Sequence, residues 1–110
     1  MKLVHAYIQP HKLSDVALAL HGLCAMTVID AEGRGRGKEQ DESSDHTEEV
    51  RDFEPHRKIE VCCPDDVADT VVEAIRNAAH TGLRGDGLVC VTAAENAVRI
   101  STGKTGDAAC

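Results

Sequence analysis

Aromatic side chains are almost absent from this 110-residue chain: it has Tyr7, Phe53 and no tryptophan. Any core must therefore be assembled from Val, Ile, Leu, Ala and Cys. It must also be modest, because a chain of this length makes one domain and buries roughly two thirds of the surface its unfolded form exposes. Small core residues favour assembly, since contacts between subunits supply burial that a thin core lacks. Positive charge is scarce too. Twelve Lys and Arg stand against nineteen Asp and Glu, for a net charge of -7, which argues against sequence-independent nucleic-acid binding, because that depends on neutralising phosphates. Basic residues interleaved with stacking aromatics are missing as well. No apolar run approaches a membrane span, and the opening "MKLVHAYIQPHK" is broken by His5, Gln9 and Pro10 where a secretory leader needs a continuous apolar stretch. The expected location is the cytoplasm.

The five cysteines (Cys24, Cys62, Cys63, Cys90 and Cys110) are odd in number and contain no C-x-x-C pair, so neither a disulfide framework nor a zinc ribbon is indicated. The first four read as reduced thiols used as small apolar side chains. Cys110, beside "GDAA", is expected to be exposed and is the candidate redox handle.

Along the chain, "KLVHAYI" alternates as a strand does and is ended by Pro10. "LSDVALALHG" predicts a short helix with Ser14 as N-cap, Asp15 in the first turn and Gly22 beyond its end. "LCAMTVIDAEGRG" reads as a second strand running into glycines 33, 35 and 37. From Gly33 to Pro55 the apolar pattern stops, and eight carboxylates between Glu39 and Glu54 face the single Arg51. A segment of about twenty residues with no packing of its own is usually functional or disordered, and residues 34–54 are expected to form one large, solvated, mobile loop. "RKIEVCC" resumes alternation, with Ile59, Val61 and Cys63 on one face and Lys58, Glu60 and Cys62 on the other. "PDDVADTVVEAIRNAAHTG" predicts a helix with Val67, Val71, Ile75 and Ala78 inward and Gly82 as C-cap. "GLVCVTAA" is a fourth strand and "AVRIST" a short fifth.

This order predicts a single α+β domain over residues 1–110 with the ferredoxin-like βαββαβ arrangement, both helices on one face of an antiparallel sheet. The other sheet face is expected to carry exposed apolar residues, which oligomerisation would cover.

The segment "HTGLRGDGLVC" concentrates glycine beyond what a helix stop requires. Gly85 and Gly87 flank Asp86 just before a strand; they suit either a tight turn or a nest of backbone N–H groups open to an anion. "GRGRG" at 33–37 repeats the theme with two arginines. With these motifs the chain resembles the PII nitrogen-regulatory signalling proteins over nearly its whole length, through "MKLVHAYIQPHKLSDV", "AMTVIDAEGRGR", "FEPHRKIEVC", "EAIRNAAHTGLRGDG" and "AVRISTG". The resemblance implies a homotrimer with adenine nucleotide in clefts between subunits. It makes the 34–54 segment the T-loop, which docks on a transporter or enzyme. The partner-binding residues there would be Glu39, Asp41, Glu42, Asp45, His46, Glu48, Glu49 and Arg51. By the same resemblance the nucleotide site comprises Met26, Thr27, Gly33, Gly35, Arg36, Glu60, Cys62, Gly85, Asp86, Gly87 and Arg99.

The chain departs from the family pattern where Leu88 replaces a Lys after "GDG" and Ser101 replaces an Arg. Each lost charged hydrogen bond is worth about 1.5–3 kcal/mol, roughly a factor of ten to a hundred in affinity, and the triphosphate should suffer most. Arg34 and Lys38 are the candidate cations for offsetting the loss. Gly37 stands in place of a Gln linked to magnesium and 2-oxoglutarate, His56 in place of a Lys, and Glu49 in place of the Tyr that some members uridylylate. The expectation is a divergent sensor of ADP or AMP, with ATP weaker and bicarbonate as a candidate second ligand in inorganic carbon or nitrogen metabolism. It has no resident cofactor or metal and is not an enzyme.

Two other classes compete. The scattered His5, His11, His21, His56 and His80 and the run "DESSDHTEE" suggest a metal-responsive relative linked to efflux, but they lack defined ligand spacing or a calcium-loop glycine. A small acylphosphatase-like enzyme could use Arg99 for phosphate, although no nucleophile, base and orienting group assemble from the pattern. "STGKTGD" is not a P-loop, because the required first glycine would fall at Val98.

Overall fold

The computed structural model describes residues 1–35 and 53–110. Its elements are β1 (Lys2–Ile8), α1 (Leu13–Leu20), β2 (Thr27–Gly33), β3 (Glu54–Cys63), α2 (Asp65–Ala79) and β4 (Gly87–Ala93). Short 3-10 turns lie at Pro10–Lys12 and Gly106–Ala109. The strands form one antiparallel sheet in the order β2-β3-β1-β4, the ferredoxin-like arrangement that the element order predicts. Most of the predicted acidic loop, from 36 to 52, lies outside the described residues.

Alternation in the strands produces the core directly. Val4, Ala6 and Ile8 of β1 and Ile59, Val61 and Cys63 of β3 are buried on one face. Val16 and Leu20 of α1 and Ala68, Val71, Ile75 and Ala79 of α2 close over them. Leu20, Ile59 and Ile75 have no exposed surface; fully burying side chains of this kind contributes about 1.5–3 kcal/mol each relative to leaving them in water.

Several boundaries differ from the sequence expectation. Ser14 is not the N-cap of α1, whose N-cap position is Lys12 with no side-chain capping bond. The turn begun by Pro10 feeds straight into the helix and places Ser14 inside its first turn. In α2 the buried stripe runs through Ala68, Val71, Ile75 and Ala79, leaving Val67 and Ala78 half-buried at its margins. Gly82 is not the C-cap. The helix ends at Ala79 with His80 extended, and Gly82 belongs to the turn that follows.

The predicted fifth strand is reduced to a single bridge between Val98 and Thr105. Its backbone groups are used locally instead: Arg99 N–H donates to Lys104 O at 2.8 Å and Gly103 N–H to Arg99 O at 2.7 Å. A strand requires an adjacent strand to receive its ladder bonds, and among the described residues none is presented to this segment. Ile100 is completely exposed.

The face away from the helices is also more mixed than expected. Register places Leu3, His5 and Tyr7 of β1 beside Cys62, Glu60 and Lys58 of β3, and beside Thr92, Cys90 and Leu88 of β4. Its centre is therefore charged, with apolar groups around it.

Candidate functional site

The glycine-rich connection between α2 and β4 is built around one carboxylate. Asp86 Oδ2 accepts the backbone N–H of Thr81 at 3.0 Å and of Gly82 at 3.3 Å, while its Oδ1 accepts the Thr81 hydroxyl. Thr81 Oγ1 in turn accepts the Leu83 N–H at 3.1 Å. His80 Nδ1 lies 3.4 Å from Asp86 Oδ2. The Thr81 hydroxyl bond and then the Thr81 backbone bond, with lesser help from the Gly82 N–H and the His80 charge, hold the Asp86 carboxyl below the usual carboxylate range against opposing desolvation. Asp86 thus organises the loop from within.

The glycines beside it have their own geometric reasons. Gly87 has φ +116°, and a Cβ there would sit 1.7 Å from the Tyr7 carbonyl oxygen, so β4 approaches β1 at a distance only glycine permits. Gly85, at φ +83°, exposes a carbonyl that accepts a hydrogen bond from Gln9 Nε2. The surplus of glycine therefore has a structural basis before any ligand is considered. Gln9 and Thr81 are site residues that the sequence reading did not identify. The Thr-Gly pair at the helix exit was the available signal for Thr81, whereas Gln9 is 76 positions away from its partner and left no local sign.

Across the open sheet face, Thr27 pairs with Glu60, and Glu60 with His5. Lys58 Nζ is 3.2 Å and His5 Nδ1 3.5 Å from Glu60 Oε2. Lys58 also sits over the Tyr7 ring, 5.7 Å from its centroid. The Glu60 hydrogen bond is the main cause that raises the Lys58 ammonium above its ordinary value, with Tyr7 adding to it and desolvation opposing. Met26, just before β2, packs against the core.

The two glycine loops leave the same end of the sheet from different edges. Ile8 pairs with both Arg57 and Gly87, and Arg57 with Asp30, so β4 begins where β2 approaches its end at Gly33. The order β2-β3-β1-β4 puts two strands between them, about 14 Å at the usual strand spacing. Gly33 packs against His56, whose Nδ1 interacts with the Glu54 carbonyl at 3.0 Å. Gly35 is exposed, and Arg34 lies over the Phe53 ring at 5.8 Å.

One chain therefore brings Gly85, Asp86 and Gly87 together and sets Thr27 beside Glu60, but it leaves these groups separate from Gly33 and Gly35. Cys62 lies toward the other end of β3, opposite Leu3, and Arg99 is exposed in the turn after β4. Arg36 and the partner-binding positions Glu39, Asp41, Glu42, Asp45, His46, Glu48, Glu49 and Arg51 lie outside the described residues. Among the described residues no cluster of three or more His, Cys, Asp or Glu is arranged to hold a metal ion, and no helix is long and apolar enough to cross a membrane.

Comparison with known proteins adds an independent finding. Residues 1–104 match the family described as nitrogen regulatory protein P-II. The chain is 47% identical over 108 residues to the nitrogen regulatory protein P-II of Rhizobium meliloti, covering 96% of each chain. It is 46% identical over 108 residues to that of Azospirillum brasilense, again covering 96% of each. Nitrogen regulatory protein P-II 1 of Escherichia coli is 44% identical over 111 residues, with 99% of each covered.

Proposed function

Since the chain belongs to the nitrogen regulatory protein P-II family, we propose that it is a signalling protein that binds adenine nucleotide in clefts between the subunits of a homotrimer. ADP or AMP is favoured over ATP, and the nucleotide state is passed to a transporter or enzyme through the 34–54 loop. The observation that carries this reading is the separation of the two glycine loops onto opposite edges of one sheet end. A second copy supplies the missing wall if its β2 edge lies against the β4 edge of the first. Edge strands with exposed apolar groups favour such an apposition, and Val28 and Ile29 on β2 and Leu88 and Val91 on β4 are exposed.

Nucleotide preference follows from charge. Leu88 is 61% exposed immediately after Gly87, so the position beside the loop offers a phosphate no cation. Losing a charged hydrogen bond there costs about 1.5–3 kcal/mol, and the triphosphate has most charge to neutralise. Arg99 supplies the guanidinium in the assembled cleft, and Thr27, Glu60 and Cys62 contribute from the sheet. Bicarbonate is a candidate second ligand, and regulation in nitrogen or inorganic carbon metabolism is the proposed context. The role is regulatory, with no catalytic group assigned and a cytoplasmic setting.

Titration calorimetry with ADP, AMP and ATP, with and without bicarbonate, combined with light scattering, tests this reading. The expected result is a trimer that binds ADP or AMP in the micromolar range, with ATP about tenfold or more weaker. A monomer at micromolar concentration, or no saturable binding of any nucleotide up to millimolar concentration, overturns it.

A further inference from the structure

Cys62 and Cys110 are 48 positions apart in sequence, yet their Sγ atoms are 3.4 Å apart. The strand pleat separates the roles of two adjacent cysteines: Cys63 is buried in the core, whereas Cys62 faces the opposite side of the sheet and is half-buried. Cys110 follows the Gly106–Ala109 turn, which is seated on the folded body, because Ala109 is buried although it lies outside the main core cluster. Cys110 Sγ also lies 3.7 Å from Met1 Sδ. Contact between these thiols is thus fixed by tertiary packing on both sides, and Cys110 is exposed to small reagents.

We propose that Cys62 and Cys110 form a reversible dithiol–disulfide pair whose oxidation fastens the segment after β4 onto β3. The oxidant is a low-molecular-weight disulfide of the glutathione class. One thiolate of the pair attacks glutathione disulfide, forming a mixed disulfide and releasing a glutathione thiolate. The second protein thiolate then attacks the first protein sulfur and releases the other glutathione. Two S–H bonds are lost and one S–S bond forms between the cysteines; the two protons and two electrons end on two glutathione thiols.

The sulfurs must approach by about 1.4 Å to reach a bond of about 2.05 Å. Partial desolvation, with the Cys62 hydrogen bond and the Cys62 and Asp107 charges, pushes the Cys110 thiol up to about 11. Attack by the Cys110 sulfur therefore accelerates as pH rises, while the equilibrium of the pair is set by how closely the fold holds the two sulfurs. The other cysteines differ. Cys24 and Cys63 are raised first by burial, and Cys90 is exposed. A transient pair of this kind suits a reducing compartment better than a structural disulfide does.

The test equilibrates the native full-length protein in glutathione redox buffers and maps its disulfides by non-reducing peptide mass analysis. The expected product is one intramolecular Cys62–Cys110 cross-link, with Cys24 and Cys63 still reduced. Cys110→Ser abolishes it and Cys90→Ser leaves it intact. Hydrogen exchange should show slower opening of residues 97–106 in the oxidised form. A Cys110 that stops at a glutathione mixed disulfide, or pairs with Cys63 or with a second chain, overturns the proposal. These outcomes do not depend on nucleotide binding, so the pair and the nucleotide reading stand or fall separately.

Discussion

Asp86 clasps Thr81 by two routes, its carboxylate accepting both the backbone N–H and the hydroxyl of the residue that follows the end of α2 by two positions. This clasp turns the chain out of the helix and delivers Gly87 to the start of β4. Asp86→Ala should lower the urea midpoint at pH 7 relative to the native chain. A carboxylate held below its unfolded value stabilises the fold at pH above the unfolded pKa of about 3.9, and the benefit is lost as pH falls through the lower folded value. The gap between the two proteins should therefore narrow below about pH 4 in urea melts at stepped pH. A gap that stays constant down to pH 2 would refute this.

Gly87→Ala should be far more damaging than Gly82→Ala. Both residues have positive φ, but a Cβ at Gly87 meets the Tyr7 carbonyl oxygen whereas one at Gly82 meets nothing within 4 Å. Denaturant melts should give about 1–2 kcal/mol for Gly82→Ala, the ordinary cost of a left-handed conformation, and about 3 kcal/mol or more for Gly87→Ala, because β4 must move away from β1.

Ile75→Ala should cost about 2–5 kcal/mol by opening a cavity where α2 meets the sheet, since Ile75 is fully buried. Leu18→Ala, at a residue 77% exposed on α1, should change stability by about 0.5 kcal/mol or less in the isolated chain. Equal losses at the two sites in urea titrations would contradict the packing described.

Glu60→Gln removes the charge that Lys58 and His5 both approach. The Lys58 ammonium should then titrate at lower pH, nearer its ordinary value, as followed by NMR of the lysine side chain. An unchanged Lys58 titration would mean that the 3.2 Å contact is not maintained in solution.

Much of the architecture was legible locally. The two-residue period in "RKIEVCC" separated Ile59, Val61 and Cys63 from Lys58, Glu60 and Cys62, and the structure buries the first set and leaves the second on the open face. Helix boundaries were harder to read, because Ser14 and Gly82 carry ordinary capping signals that stronger neighbours displace: the Pro10 turn at one end of α1 and the Asp86 clasp beyond α2. "AVRIST" has the composition of a strand, but composition cannot supply an adjacent backbone.

What the sequence alone determined was the inward face of β3, the ferredoxin-like order of elements and the places where glycine gathers, because side-chain periodicity and backbone permission are properties of a few consecutive residues. Tertiary structure decided that Gly87 is required by the Tyr7 carbonyl, that Gln9 braces Gly85, and that Cys62 meets Cys110. Those relations join residues that are distant along the chain. They arise only when the sheet order and the seating of the last turn bring particular atoms within a few ångströms.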